Sequence, residues 1–392
     1  MIRGKLKFLF TVLILFFTVG MSGQSSAKVT IGDKKVFHSK ILNEDRTVYI
    51  YVPDSYKQST FSYPTLYLLD AEYDFVSTVG AVEFMSSVGK IPEMIVVGIV
   101  NTNRSRDLTP EAPKDKESKA FWGEIGGADN FRGVIKNELI PFIEQGYRTN
   151  GFKILRGQSF GGLFGLFDYL KRLPLFNAYI ISSPTVRWNE NMLFNELSHF
   201  SFNILEKRKL YIGEAEFDSG TDTGIRDFSQ LLQSIIIDSN YFGYHFFKGE
   251  SHYSLAFDTT QKGLEYLYRN WQLDRGLLAA GDYNLLVAHY KKVSDEFGFP
   301  MKVPMSQMID FENIQLRKSH YEKAIEIAEK NVQLYPEQPE TYWHLGDAYS
   351  FSKDYKKALE YFEKALKKAR ENGLKNLDDY MDSVENTKSK IE

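Results

Sequence analysis

The sequence predicts a mostly parallel eight-stranded α/β sheet flanked by helices over residues 28–272, followed by a small all-α module over 273–392. Three observations lead there. Short β-rich runs recur eight times before Trp271, with amphipathic stretches between them. After Trp271 the strand pattern stops and helical periodicity carries to the end. A chain of 392 residues also exceeds what one ordinary core organises, so two units are the natural division.

The chain opens MIRGKLK and then FLFTVLILFFTVG, a basic start and an uncharged apolar run ending in small residues around Ser22 to Ala27. This is the pattern of a secretory signal peptide over 1–27. The apolar run is shorter than the ~20 residues a membrane span needs, which favours cleavage over anchoring. There is no cysteine, hence no disulfide, no thiolate metal site and no lipoprotein cysteine. Export without disulfides suits a bacterial periplasm or exterior.

The strand candidates run in order KKVFHSKIL, RTVYIYVP, TLYLLD, MIVVGIV, FKILRG, NAYIISS, KLYIGEAE and YHFFKG. The first two alternate apolar and polar residues, as half-exposed antiparallel strands do. TLYLLD, MIVVGIV and NAYIISS are nearly continuous apolar runs suited to buried parallel strands. Helices are expected at about 74–87, 130–144, 161–171, 223–238 and 254–271. The connection 101–129 is polar, charged and long for a strand-to-helix loop, a candidate substrate-facing lid or an uninvolved surface excursion.

In the C-terminal module, TYWHLGDAYSFSKDYKKALEYFEKAL places Tyr342, Leu345, Gly346, Tyr349, Ala358, Phe362 and Ala365 at tetratricopeptide spacing. One full repeat is expected at about 339–372 and a partial one at 306–338, where Glu312 and Gln315 replace the usual glycine and tyrosine. Arrays generally need at least ~3 repeats to bury a continuous core. The module is therefore expected to dock on the α/β domain through Leu285, Tyr290, Phe297 and Phe299 and to shape access to its cleft.

Composition narrows the function. Hydrophobic residues at 43% and charged residues at 25% are ordinary soluble usage, which disfavours disorder and a multi-span membrane protein. The net charge of −3 includes Arg3, Lys5 and Lys7 of the leader, and no basic stripe is interleaved with aromatics, so nucleic acid is not an expected partner.

The strongest chemical signal is Gly157-Gln158-Ser159-Phe160-Gly161-Gly162, directly after FKIL and before an apolar helical run. This is GxSxG in the strand–turn–helix context of an α/β-hydrolase nucleophile elbow. A serine hydroxyl needs a positioned base, normally a histidine oriented by a carboxylate. His252 lies just after the last predicted strand, where this fold carries its base; His38, His199, His245, His289, His320 and His344 lie elsewhere. The acid should follow KLYIGEAE, leaving Glu214, Glu216, Asp218 and Asp222, of which Asp218 sits best beyond the strand end. The order Ser159, Asp218, His252 matches the fold's serine, acid, histidine order. Phe160 N–H supplies one oxyanion donor, and Ala71 or Glu72, after TLYLLD, the other. Asp70 reads alternatively as a cap of the following helix. Arg104, Arg106 and Trp188 are candidate substrate-binding residues, although Trp188 also reads as buried packing and the arginines as partners of Asp107 and Glu111.

The chain resembles the bacterial putative-esterase family of α/β hydrolases, particularly its siderophore-esterase-like branch. The resemblance covers about 34–271 and rests on LYLLD, VVGIVNTNRSRDLTP, FRGVIKNELIPFIEQGYRT, GQSFGGLFGL and ISSPTVRWNEN. It departs at Gln158, where histidine is common, and at Ala71, where glycine is common. The resemblance implies a serine ester hydrolase working through an acyl-enzyme, with a small-molecule ester such as a siderophore or an acylated sugar as substrate. No cofactor or metal is expected. Two competing readings are an acyltransferase with the same triad and a catalytically idle scaffold that holds a protein partner through its repeats.

Overall fold

The computed structural model describes residues 30–113, 116–199, 208–218, 223–274, 276 and 282–391. The expected leader at 1–27 lies outside them. Eight strands form one sheet: β1 Asp33–Ser39, β2 Glu44–Tyr51, β3 Tyr63–Leu68, β4 Ile95–Ile99, β5 Thr149–Gln158, β6 Ala178–Ser182, β7 Lys209–Phe217 and β8 Phe242–Ser251. Their spatial order is β1-β2-β4-β3-β5-β6-β7-β8. β1 and β2 are antiparallel to their neighbours, and every pair from β4 through β8 is parallel. All eight sequence runs are strands. The continuous apolar runs TLYLLD, MIVVGIV and NAYIISS form the fully buried parallel strands β3, β4 and β6 because helices cover both faces there, whereas most residues of the parallel edge strand β8 are half-buried or exposed.

Side-chain alternation divides the core. Tyr67, Val97, Leu155, Tyr179, Ile181 and Ile212 face one layer, which holds the helices Phe160–Tyr169, Trp188–Ser198 and Ile225–Ile235 and the helical stretch from Ala128 to Gly146. Leu66, Leu68, Val96, Ile154 and Ile180 face the other, with the helices Ala71–Ser87 and Leu255–Leu267. The expected helices are all present. The helices Arg104–Leu108, Lys116–Trp122 and Trp188–Ser198 are additional, and in the last Asn189, Glu190 and Asn191 all have positive φ.

Past Trp271 come the helices Tyr283–Phe297, Met305–Arg317, Tyr321–Leu334, Pro339–Phe351, Tyr355–Glu371 and Asp378–Lys388. The hairpin of Pro339–Phe351 and Tyr355–Glu371 packs as a repeat requires: a Cβ at Gly346 would lie 2.7 Å from the Phe362 ring, so only glycine lets these helices approach so closely. The module docks as expected, but through Leu286 instead of Leu285, which points outward at 39% exposure. Tyr290 packs on Trp271 (5.6 Å between ring centroids), and Phe297 on Phe152 and Tyr268 (5.0 Å each). Lys209 Nζ donates to Glu296 in a part-buried pair, and Phe61 meets Tyr335 edge-on at 5.4 Å.

These contacts fall at the N-terminal ends of β3, β5 and β7 and at the end of the helix that returns there. That is the edge of the sheet opposite Ser159. The expectation that the module shapes the cleft is thereby corrected: among the described residues it braces the floor of the α/β domain.

Candidate active site

β3, β5, β7 and β8 run parallel, so the residues that follow them emerge at one edge of the sheet, where ligands of open α/β folds bind. Asp70, Ser159, Asp218 and His252 are those residues.

β5 runs to Gln158 and the helix Phe160–Tyr169 begins two residues later, which leaves Ser159 to make the whole turn. Its backbone takes φ 56°, ψ −116°. That conformation costs a non-glycine residue about 1–3 kcal/mol and persists only where the surroundings enforce it. Here Ser159 N–H donates to the Ser182 carbonyl at 3.0 Å, and its own carbonyl accepts Leu163 N–H at 2.9 Å. A Cβ at Gly157 would sit 2.3 Å from the Gly161 carbonyl oxygen, so the chain can double back only over glycine.

The candidate base and acid arrive from the far strands. After a bulge between Ala215 and Phe217, β7 and β8 still pair Phe217 with Ser251, and His252 N–H donates to the Phe217 carbonyl at 3.2 Å. This zipper sets the next side chains together, with His252 Nδ1 2.5 Å from Asp218 Oδ1. A carboxylate on Nδ1–H leaves Nε2 as the basic nitrogen, the tautomer a general base needs.

The other acid candidates are engaged elsewhere. Glu216 Oε2 accepts Gly249 N–H at 2.7 Å, and Glu214 accepts the Tyr244 hydroxyl. Asp222 lies outside the described residues. Among the histidines, His245 is exposed on β8 against Phe247, and His38 pairs with Asp45 at the far antiparallel edge.

Phe160 and Ala71 are each the first residue of a helix. Their N–H groups therefore have no intrahelical acceptor and sit at the positive end of the macrodipole, as oxyanion donors should. Glu72 is the second residue of its helix, and its carboxylate accepts Asn101 Nδ2 at 2.6 Å and Asn101 N–H at 3.3 Å. Asp70 does not cap that helix with its side chain. It takes a left-handed conformation, φ 56°, and its carboxylate accepts Arg104 Nε at 2.6 Å, Arg104 Nη2 at 2.9 Å and Asn101 Nδ2 at 2.7 Å.

Of the residues read as substrate-binding, Arg104 is thus forked onto Asp70, with its guanidinium 5.6 Å over the Phe160 ring. Arg106 is held by Glu44 at 2.6 Å and Asp107 at 2.8 Å, and these two carboxylates outweigh desolvation and push its pKa up. Trp188 is buried; its Nε1–H donates to the Glu111 carbonyl at 3.1 Å and its ring meets Phe160 edge-on at 5.3 Å.

The connection 101–129 folds back on itself, with Thr109 Oγ1 accepting Gly126 N–H at 2.8 Å at its base. Its helix Lys116–Trp122 sets Trp122 edge-on against Phe160 at 4.8 Å, with Phe121 beside it 77% exposed. The excursion therefore does face the elbow. Sequence reasoning passed over Trp122; its one signal was an aromatic pair inside an otherwise polar loop. Among the described residues no group of His, Asp and Glu is disposed to hold a metal ion, and no helix is long and apolar enough to cross a membrane.

An eight-stranded sheet of this order with a strained serine elbow defines an α/β-hydrolase, and the helices after it a tetratricopeptide module. The chain belongs to the putative-esterase family and is an esterase. The family model described as "Putative esterase" matches residues 39–209, and a tetratricopeptide model matches 318–371. The ferri-bacillibactin esterase BesA of Bacillus subtilis is 32% identical over 203 residues, 46% of this chain and 68% of that protein. The apo-salmochelin esterase of Escherichia coli is 33% identical over 138 residues, 32% of this chain and 42% of that one. Among solved structures, an IroE-like serine hydrolase from Shewanella oneidensis superposes with a TM-score of 0.65 at 25% identity, covering 78% of this chain and 99% of its own.

Proposed function

We propose that this chain hydrolyses a siderophore ester through an acyl-enzyme on Ser159, with His252 as base and Asp218 as the carboxylate that orients it. The observation that carries the reading is the 2.5 Å contact between His252 Nδ1 and Asp218 Oδ1 on the edge that presents the strained Ser159. In the first step Ser159 Oγ bonds to the ester carbonyl carbon as its proton passes to His252 Nε2. Phe160 N–H and the N–H of Ala71 or Glu72 hold the oxyanion. The C–O bond to the alcohol then breaks, and the imidazolium protonates the leaving alkoxide. Water repeats the sequence, losing its proton to Nε2 and releasing the acid.

The siderophore reading is supported by the names of several relatives, the ferri-bacillibactin and apo-salmochelin esterases among them. It is also supported by exposed rings beside the site, Tyr73, Phe121, Trp122 and Tyr253, which offer flat apolar faces to an aryl-bearing ligand. Acylated sugars are the next class to test. The basic and apolar start of the chain supports export to the periplasm or exterior after cleavage near residue 27.

The deciding experiment pairs fluorophosphonate labelling with a panel of siderophore, acyl-sugar, feruloyl and p-nitrophenyl esters, using wild type and Ser159→Ala. Labelling at Ser159 and a siderophore preference lost in the variant are expected. An unlabelled Ser159 removes the mechanism, and a preference for acyl sugars removes the substrate.

A further inference from the structure

The three parts of this site are carried by three separate turns at one edge of the sheet. The oxyanion turn follows β3, the nucleophile follows β5 and the base follows β8. β8 lies three strands from β5, and β7, which carries Asp218, two. At roughly 4.8 Å per strand, that is about 14 and 10 Å of lateral reach. Backbone hydrogen bonds tie each turn only to its neighbouring strand, Ser159 N–H to the Ser182 carbonyl and His252 N–H to the Phe217 carbonyl, so side chains are what link one turn to another.

One chain of contacts spans all three turns. The Gln158 side-chain amide donates from Nε2 to the backbone carbonyl of His252. Gln158's own backbone carbonyl accepts Arg104 Nη2 at 3.4 Å. Arg104 in turn grips both oxygens of Asp70, the residue before the candidate donor Ala71. Asp70 Oδ2 also lies 3.2 Å from where a Cβ on Gly161 would stand, so this carboxylate is seated against the start of the nucleophile helix.

We infer that Gln158 and Arg104 are positioning residues that brace the base loop and the oxyanion turn against the nucleophile elbow. Gln158 reaches His252 through the backbone, so it sets where the imidazole stands without touching substrate. Arg104 ties Asp70, at the start of the helix Ala71–Ser87, to the Gln158 carbonyl, which fixes the candidate donors Ala71 N–H and Phe160 N–H relative to each other. An error of about 1 Å in such an array costs on the order of 100-fold in rate, whereas substrate contacts made elsewhere are unaffected. This departs from the sequence-based reading of Arg104 as a substrate ligand, because its Nε and Nη2 are committed to Asp70.

The inference rests on the Ser159–His252 mechanism, and its test separates the two. Gln158→Glu keeps the shape but turns a carboxylate toward the His252 carbonyl. Gln158→Leu removes the donor. Gln158→His restores an N–H donor. For the first two, kcat on a p-nitrophenyl ester should fall about 10- to 100-fold with KM within about twofold. The rate of fluorophosphonate labelling at Ser159 should fall by the same factor, with the melting temperature little changed. Gln158→His should recover to within several-fold of wild type. Arg104→Gln should show the same split between kcat and KM.

A folded Gln158→Glu or Gln158→Leu enzyme with wild-type kcat would overturn the brace. So would a rise in KM alone, which marks a substrate contact, or a loss of activity that only tracks loss of folded protein. Should Gln158→Leu fail to fold, the isosteric Glu variant and Arg104→Gln decide. If wild-type Ser159 itself is not labelled, the mechanism has failed and the brace with it; labelled wild type beside unaffected variants refutes the brace alone.

Discussion

Phe297→Ala probes how far the repeat module and the esterase domain share one core. Phe297 is buried, stacks flat on Tyr268 (5.0 Å, 11° between planes), meets Phe152 edge-on at 5.0 Å and has the Lys209 ammonium 4.7 Å from its ring. Truncating a buried phenylalanine costs about 3–5 kcal/mol, from lost transfer energy and the cavity left behind. For a cooperative unit of about 360 residues roughly 1.3 °C accompanies each kcal/mol, so the melting temperature should fall by about 4–7 °C in one transition. The assay is scanning calorimetry alongside turnover of p-nitrophenyl acetate at 25 °C. Turnover should be unchanged, because the lost contacts lie at the strand ends opposite Ser159. An unaltered melting temperature would show that the module is not part of the esterase's core. A fall in kcat at 25 °C in fully folded protein would show that it acts on the site after all.

Ser159→Ala should abolish ester hydrolysis with unchanged circular dichroism, and comparable turnover would remove the nucleophile assignment. His252→Ala should lose about as much, and the double variant no more than either, because the two act as one unit; additive losses would count against a shared mechanism. Asp218→Asn should lower kcat strongly and Glu216→Gln much less, since Glu216 only receives Gly249 N–H; the reverse order would move the acid to Glu216. In the module, burial pushes the Asp347 carboxyl from 3.8 up to about 6, countered in part by Lys390. A carboxyl whose folded pKa is raised contributes stability present below its unfolded value and lost as pH rises through the folded one. Asp347→Asn should therefore match wild type near pH 4 and be more stable by about 1–2 kcal/mol at pH 7, a discount on the roughly 3 kcal/mol the full shift implies because the site is part-exposed. A stability gain independent of pH between those values would refute that account.

Most of the architecture was legible because it follows from periodicity. Alternation in KKVFHSKIL and continuous apolarity in TLYLLD read correctly as edge and central strands, since the burial of one or both faces imposes those patterns. Gly157 and Gly161 announced the elbow because doubling the chain back leaves no room for side chains. What stayed hidden depends on contacts between distant segments. Nothing local in NRSRDL says that Arg104 will grip Asp70 while Arg106 turns to Glu44, or that the Gln158 amide will meet the carbonyl of His252. The docking edge of the module was misjudged for the same reason: Phe297 and Tyr290 read plainly as apolar, but a helical period carries no information about which end of a sheet it will meet. Leu285 and Leu286 show the limit most directly, since adjacent leucines differ by 100° around a helix and only the partner decides which is covered.

The left-handed backbone at Ser159 also bears on how such an enzyme can be made hardier. Eight of the chain's described glycines already sit at positive φ, where they are at ease; Ser159 occupies that territory with a side chain attached. Selection for heat resistance alone should favour glycine there, and the variant it chose would be a sturdier protein without the proposed nucleophile. Position 159 is thus a place where screening by survival and screening by turnover pull in opposite directions, and libraries built to toughen this esterase should hold that codon fixed.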